Sequence, residues 1–248
     1  MSAWALHGSA APALVVAGHS HTLCQLQALH AAPREWAAVA YTTALADGPP
    51  LADDYWDFVG ALDPAIDVAV VWNGNQHHAQ FLIDQVPPIA VWDDARERVS
   101  AAGRLLPRTQ FRALWEPTVQ PLIDVLPALS QSRRTVIVGT PPPKASALVR
   151  ANLSTEKWFE PTATALGLEL ADLPITAEMT RLALWRLLQG RLCEIAADAG
   201  VSFLPAPELA ATADGFLHAE LSSPDATHAN AAYGDLVWGV LDAWRQQP

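Results

Sequence analysis

Ala13-Leu14-Val15-Val16-Ala17-Gly18-His19-Ser20-His21, running on into Thr22-Leu23-Cys24-Gln25-Leu26, is the stretch that decides the fold. A short unbroken apolar run closed by a glycine has the length and continuity of a strand covered on both faces. From Thr22 to His30, Leu23, Leu26 and Leu29 recur along one face of a helix. A buried strand that passes through a polar turn straight into a helix opens an α/β unit, and that pattern repeats down the chain.

Ala37 to Tyr41 reads as a second strand, Asp53 to Leu62 as a helix, and Ile66 to Trp72 as a third strand. A helix is expected to begin near Gln76, and Pro88 to Trp92 has the makings of a further short strand. Thr109 to Leu129 reads as helical in parts, with Pro117, Pro121 and Pro127 expected to interrupt or bend it. Thr135 to Gly139 is the next clear strand, closed by Pro141, Pro142 and Pro143. Residues 144 to 174 have weak periodicity and read as loop with one short helix, a candidate substrate-facing segment. From Ala177 to Ala199, Leu184, Leu188, Leu192 and Ile195 recur at helical steps, and Gly200 supplies a stop. Val201 to Leu204 follows as the last parallel strand. In the final helix Tyr233, Leu236, Val237, Val240, Leu241 and Trp244 share a face, with Asn230 placed to cap it. Alternating strands and helices imply an α/β fold with a mostly parallel sheet covered on both sides. No repeat or linker divides the chain, so residues 1–248 are expected to form a single domain.

Bulk composition agrees. Of the 248 residues, 51% are hydrophobic and 17% charged, enough for a sizeable core and too few charges for disorder. A formal net charge of −11 argues against nucleic acid or an anionic membrane surface as the main partner. No apolar run reaches the roughly 20 residues of a bilayer span, and no basic start marks a secretory leader, so the expected location is cytoplasmic. Cys24 and Cys193, both in helical stretches, are expected to be buried free thiols. His7, His30 and His218 read as surface or helix-face residues. Nothing specifies an oligomeric state.

In sheets of this kind ligands bind beyond the carboxyl ends of the strands, and three polar motifs fall there or nearby. Gly18-His19-Ser20-His21 follows strand one. A serine there has its hydroxyl at the sheet edge and its N–H at the positive end of a helix, although a plain helix cap would look the same. Asn73-Gly74-Asn75-Gln76-His77-His78 follows strand three; an Asn amide can donate to an oxyanion, but Asn-Gly is also a common turn. Asp225-Ala226-Thr227-His228 precedes the last helix. An imidazole is the usual base for a serine, and an Asp three residues earlier can reach its Nδ1.

Together, in this order, the three motifs resemble the ordered blocks of the SGNH (GDSL-like) hydrolases, over nearly the whole chain. Val138-Gly139-Thr140-Pro141-Pro142-Pro143 also looks like a strand-end segment of that family. The resemblance implies a three-layer flavodoxin-like fold with a mostly parallel five-stranded sheet, and hydrolysis of acyl or acetyl esters, on a carbohydrate or small metabolite, without a cofactor. Carried over, Ser20 is the nucleophile, His228 the general base and Asp225 its orienting acid. The Ser20 N–H and Asn75 form the oxyanion hole, with Gly48 the candidate for its glycine. His19, Asn73 and His77 are candidate substrate-binding residues. The match is divergent: the usual Gly-Asp-Ser is Gly18-His19-Ser20 here, and the usual Gly-x-Asn-Asp reads Asn73-Gly74-Asn75-Gln76.

Three other readings compete. His19 with His21, His77 with His78, and Asp225 with His228 could serve a metal-dependent hydrolase. A non-catalytic binding protein could keep the fold. A transferase could pass the same acyl-enzyme to an alcohol rather than to water.

Overall fold

The computed structural model describes residues 4–18, 20–41, 53–72, 80–131 and 133–247. Its centre is a sheet containing β1 (Ala5–Gly8), β2 (Leu14–Gly18), β3 (Ala37–Tyr41), β4 (Asp67–Val71), β9 (Thr135–Val138) and β10 (Ser202–Leu204), in the order β1-β3-β2-β4-β9-β10. Between β4 and β9 lie four two-residue strands, β5 (Ile89–Ala90), β6 (Trp92–Asp93), β7 (Arg98–Val99) and β8 (Arg104–Leu105), which pair among themselves as β5 with β8 and β6 with β7.

The sheet therefore has six strands rather than the expected five. Its five parallel strands fall where the sequence places them, in the 2-1-3-4-5 order of flavodoxin-like folds. The addition is β1, which runs antiparallel along β3, with Ala5 opposite Tyr41 and Gly8 opposite Ala38. Its residues are only partly covered, whereas β2, β3 and β9 are buried throughout. The apolar run at 88–92 contributes to the small paired strands and not to this sheet.

Alternation along the strands splits the core in two. Val15, Ala17, Val68, Val70 and Ile137 face α2 (Asp53–Gly60), α3 (Arg108–Ser130) and the long helix Glu178–Asp198. Leu14, Val16, Ala69, Val71, Val136 and Val138 face α1 (Thr22–Ala31) and the helix Ala231–Arg245. Full burial of side chains such as these contributes roughly 1.5–3 kcal/mol each in transfer free energy. The two helices of this second face come close where Gly234 meets α1: a Cβ there would lie 2.1 Å from the Cys24 carbonyl oxygen.

Helix α3 runs unbroken for 23 residues through all three prolines, contrary to the expected interruption. Pro117, Pro121 and Pro127 are all exposed, so the carbonyls they leave without a donor lie on or near the solvent side. The opposite face, Phe111, Trp115, Val119, Leu122, Leu126 and Leu129, is buried and holds the helix in place.

Residues 144–174 are also more ordered than their weak periodicity predicts. They form α4 (Ser146–Asn152) and α5 (Glu160–Leu166), with single 3-10 turns around them. No one helical period spans the stretch because each piece is short. Val149, Leu153, Phe159, Ala163 and Leu173 pack with Leu82 and Ala226 into a third apolar cluster. The long helix Glu178–Asp198, α6, ends as expected, with Gly200 at φ +66°. Cys24 is buried and Cys193 exposed, both as free thiols, so only the first matches the expectation of burial.

Candidate active site

Ser20 lies in the turn between β2 and α1, and that turn is built on Gly18. Gly18 has φ +149°, and a Cβ on it would sit 2.0 Å from the carbonyl oxygen of Val71 on β4. Only glycine lets the central strand end this close to its neighbour. The Gly18 N–H donates to the buried Tyr55 hydroxyl at 2.8 Å, and that hydroxyl donates to the Ala40 carbonyl at 3.0 Å. One phenol from α2 thus ties together the ends of β2 and β3. The Ser20 carbonyl accepts from Leu23 N at 3.1 Å as the helix starts.

The second half of the site precedes α7 (Ala231–Arg245). Asn230 caps that helix, its Oδ1 accepting from Ala232 N at 2.9 Å and Tyr233 N at 3.3 Å. Its Nδ2 donates to the carbonyls of Glu220 and Ser222, at 2.7 and 3.1 Å. Ser223 closes the loop, its N–H donating to the His228 carbonyl at 3.0 Å and its Oγ to the Ala229 carbonyl at 2.9 Å. Inside this frame Asp225 Oδ1 accepts from Thr227 N and His228 N, at 2.8 and 2.6 Å.

These two halves meet. His228 Nδ1 is 3.2 Å from Asp225 Oδ2, and His228 Nε2 is 3.1 Å from Ser20 Oγ. An ionised carboxylate can only accept, so Nδ1 carries the proton toward Asp225 and Nε2 is left to accept from the serine hydroxyl. Burial works to raise the Asp225 carboxyl. The hydrogen bond and charge of His228, its backbone N–H and the Lys144 ammonium outweigh it and hold the carboxyl well below the usual range. The helix α1 has no side-chain cap, and the Ser20 hydroxyl turns to the imidazole instead.

Ser20, His21, Leu23, Cys24, Tyr41 and His228 are among the residues around a cavity of about 140 Å³ over the serine. The ring of His21, buried, lies 5.0 Å from that of His228. Among the described residues, no group of three or more His, Cys, Asp or Glu side chains could hold a metal ion. Both ring nitrogens of His228 are already engaged by Asp225 and Ser20. His19, Gly48, Asn73, Asn75, His77 and His78 lie outside the described residues, which covers the expected oxyanion partners of the Ser20 N–H and most of the histidine clusters.

Lys144 was not anticipated. It directly follows the proline run at the end of β9 and is 2% exposed. Its ammonium donates to the carbonyls of Ser223 and Asp225, at 2.7 and 2.6 Å, and lies 3.4 Å from Asp225 Oδ1. A lone lysine after prolines reads as surface, and no spacing in the sequence marks it otherwise.

The solved phospholipase A1 of Streptomyces albidoflavus NA297 has the same architecture, with a TM-score of 0.52 at 16% identity over 94% of this chain and 99% of that one. The fold is that of the SGNH hydrolases. A GDSL-like lipase of Bacteroides thetaiotaomicron VPI-5482 aligns at TM-score 0.42 and 8% identity, over 94% of this chain and 87% of that one. Est24, a carbohydrate acetylesterase of Sinorhizobium meliloti, aligns at 0.44 and 12%, over 94% and 98%. No family model and no curated protein matches the chain by sequence. In this SGNH frame Ser20 stands after the first parallel strand and Asp225 with His228 before the helix that packs on α1. Among the described residues no helix is long and apolar enough to cross a membrane.

Proposed function

We propose that the protein is a serine esterase that cleaves a small acyl or acetyl ester, carried on a carbohydrate or small metabolite, by way of an acyl-enzyme. The observation that carries this reading is the continuous chain Ser20 Oγ, His228 Nε2, His228 Nδ1, Asp225 Oδ2, with links of 3.1 and 3.2 Å. Both are within hydrogen-bond reach, and the first is the one along which a proton would pass.

His228 takes the hydroxyl proton as Ser20 Oγ attacks the ester carbonyl, and Asp225 stabilises the imidazolium that forms. The oxyanion develops beside the N-terminus of α1, where the helix dipole favours negative charge. Return of the proton to the leaving alcohol gives the acyl-enzyme, and a water activated by the same imidazole releases the acid. The cavity of about 140 Å³ beside Ser20 suits a short acyl group. The phospholipase A1 that shares the fold is, by its name, also an enzyme of ester bonds.

Turnover of 4-nitrophenyl acetate tests the reading. Ser20→Ala and His228→Ala are each expected to abolish it, and a serine-directed phosphonate to label the wild type at Ser20 alone. Asp225→Asn is expected to retain a small residue, because removing an orienting carboxylate in such a triad costs on the order of 10⁴ in kcat. Wild-type turnover by Ser20→Ala would end the proposal. Adding an alcohol acceptor separates hydrolysis from transfer.

A further inference from the structure

We propose that Lys144 is a positioning residue for this reaction: its buried ammonium clamps the Ser223–His228 loop and offsets the charge with which Asp225 holds the imidazole. The inference rests on the esterase reading above and concerns a residue outside the Ser20–His228–Asp225 chain.

The placement is costly unless it serves something. A lysine side chain 1% exposed has lost nearly all its water, and the loss is offset only by what it touches. Two of its protons go to main-chain carbonyls of the loop, Ser223 and Asp225, and the third faces Asp225 Oδ1 at 3.4 Å. Aliphatic packing could have filled the space, and water could have met the carbonyls. A cation in this position does a third thing: it pairs with the Asp225 carboxylate at Oδ1, while the His228 ring meets Oδ2.

The residue is itself held from behind. Arg181, also buried, donates to the Lys144 carbonyl at 2.9 Å, to Ser146 Oγ at 2.7 Å and to the Thr176 carbonyl at 3.1 Å. Glu156 accepts from Ala226 N at 2.7 Å, so the segment between β9 and α6 grips the loop at a second point. The strand end, the 144–180 segment and the acid–imidazole loop form one polar unit with fixed geometry.

Two consequences follow. A loop freed from two carbonyl bonds lets the imidazole drift from Ser20, which lowers kcat more than KM. An aspartate freed from its cation attracts the imidazolium more strongly, so the imidazole keeps its proton to higher pH. The charged or titratable groups around His228 among the described residues are Asp225 and Lys144, His21 just before α1 and Cys24 within it, Tyr41 from β3 and, further back, Glu156, Arg181 and Glu178. Of these, Lys144 is the cation in contact with the Asp225 carboxylate.

The experiment compares wild type, Lys144→Met, Lys144→Gln and Ser20→Ala on 4-nitrophenyl acetate across pH, with circular dichroism to confirm folding. Lys144→Met is expected to lower kcat between about 10- and 100-fold, with KM changed less than about threefold. It should also move the acidic limb of the kcat/KM profile up by about one pH unit. Lys144→Gln keeps amide donors for the loop carbonyls but no charge. It is expected to recover part of kcat while keeping the displaced limb, and it carries the test alone if Lys144→Met does not fold. A folded variant whose limb stays in place overturns the charge role, and one that also keeps wild-type kcat overturns the whole inference. If Ser20→Ala is fully active, the esterase reading has failed instead, and the two failures are told apart.

Discussion

Replacing Gly18 by alanine should damage this protein out of proportion to one methyl group. The new Cβ would lie 2.0 Å from the Val71 carbonyl oxygen and 2.8 Å from its carbon, both rigid backbone of the adjacent strand. An ordinary carbon–oxygen contact needs about 3.3 Å, so β2 and β4 must part by about 1.3 Å where Gly18 pairs with Val71. Alanine at φ +149° adds backbone strain of about 1–3 kcal/mol. In a chain of this size each kcal/mol lowers Tm by roughly 2–4 °C, so the strain alone is expected to lower it by roughly 2–12 °C. The larger effect is on rate. Ser20 is two residues beyond the displaced atom, and a shift of about 1 Å in a reacting group costs on the order of 100-fold. Differential scanning fluorimetry and steady-state turnover of 4-nitrophenyl acetate read the two effects separately. A Gly18→Ala variant that keeps its Tm and its kcat/KM would refute the claim that this close approach positions the serine.

Two further outcomes follow from the loop before α7. Because Asp225 is held below its ordinary value of 3.8, the stability it contributes is complete above that value and drains as pH falls beneath it. The difference in urea midpoint between wild type and Asp225→Asn should therefore narrow as pH is lowered through and below that point; a constant difference would contradict the assignment. Asn230→Ala removes two accepted and two donated hydrogen bonds at the start of α7, and should cost about 1–2 kcal/mol in urea unfolding. It should leave the serine turn untouched, so phosphonate labelling of Ser20 that survives the loss of stability is the expected pattern.

Much of this was legible in the residues. The runs at 13–17, 66–72 and 135–139 are continuous and apolar because their strands are covered on both faces, and Asn230 announces its helix by a side chain suited to capping. Strand β1 was not legible: Ala5-Leu6-His7-Gly8 is short, half-exposed and poor in β-branched residues, and takes its form from pairing with β3. The prolines of α3 misled because local propensity says nothing about which face they occupy, and here that face is exposed. At the site, Ser20, Asp225 and His228 could be picked out only together: each motif alone reads as a cap or a turn, and their order resembles that of the SGNH hydrolases. Lys144 could not, since its meaning arises only when a loop nearly eighty residues away closes over it. The same holds for residues 144–174, whose short helices serve as the floor under Ala226.

Ser20 and His228 are separated by 208 positions along the chain, yet they share a hydrogen bond. Their union depends on α1 and α7 nestling at Gly234, one helix from near each extremity of the described chain. Until those two helices dock, the Ser20 hydroxyl has no imidazole to turn to.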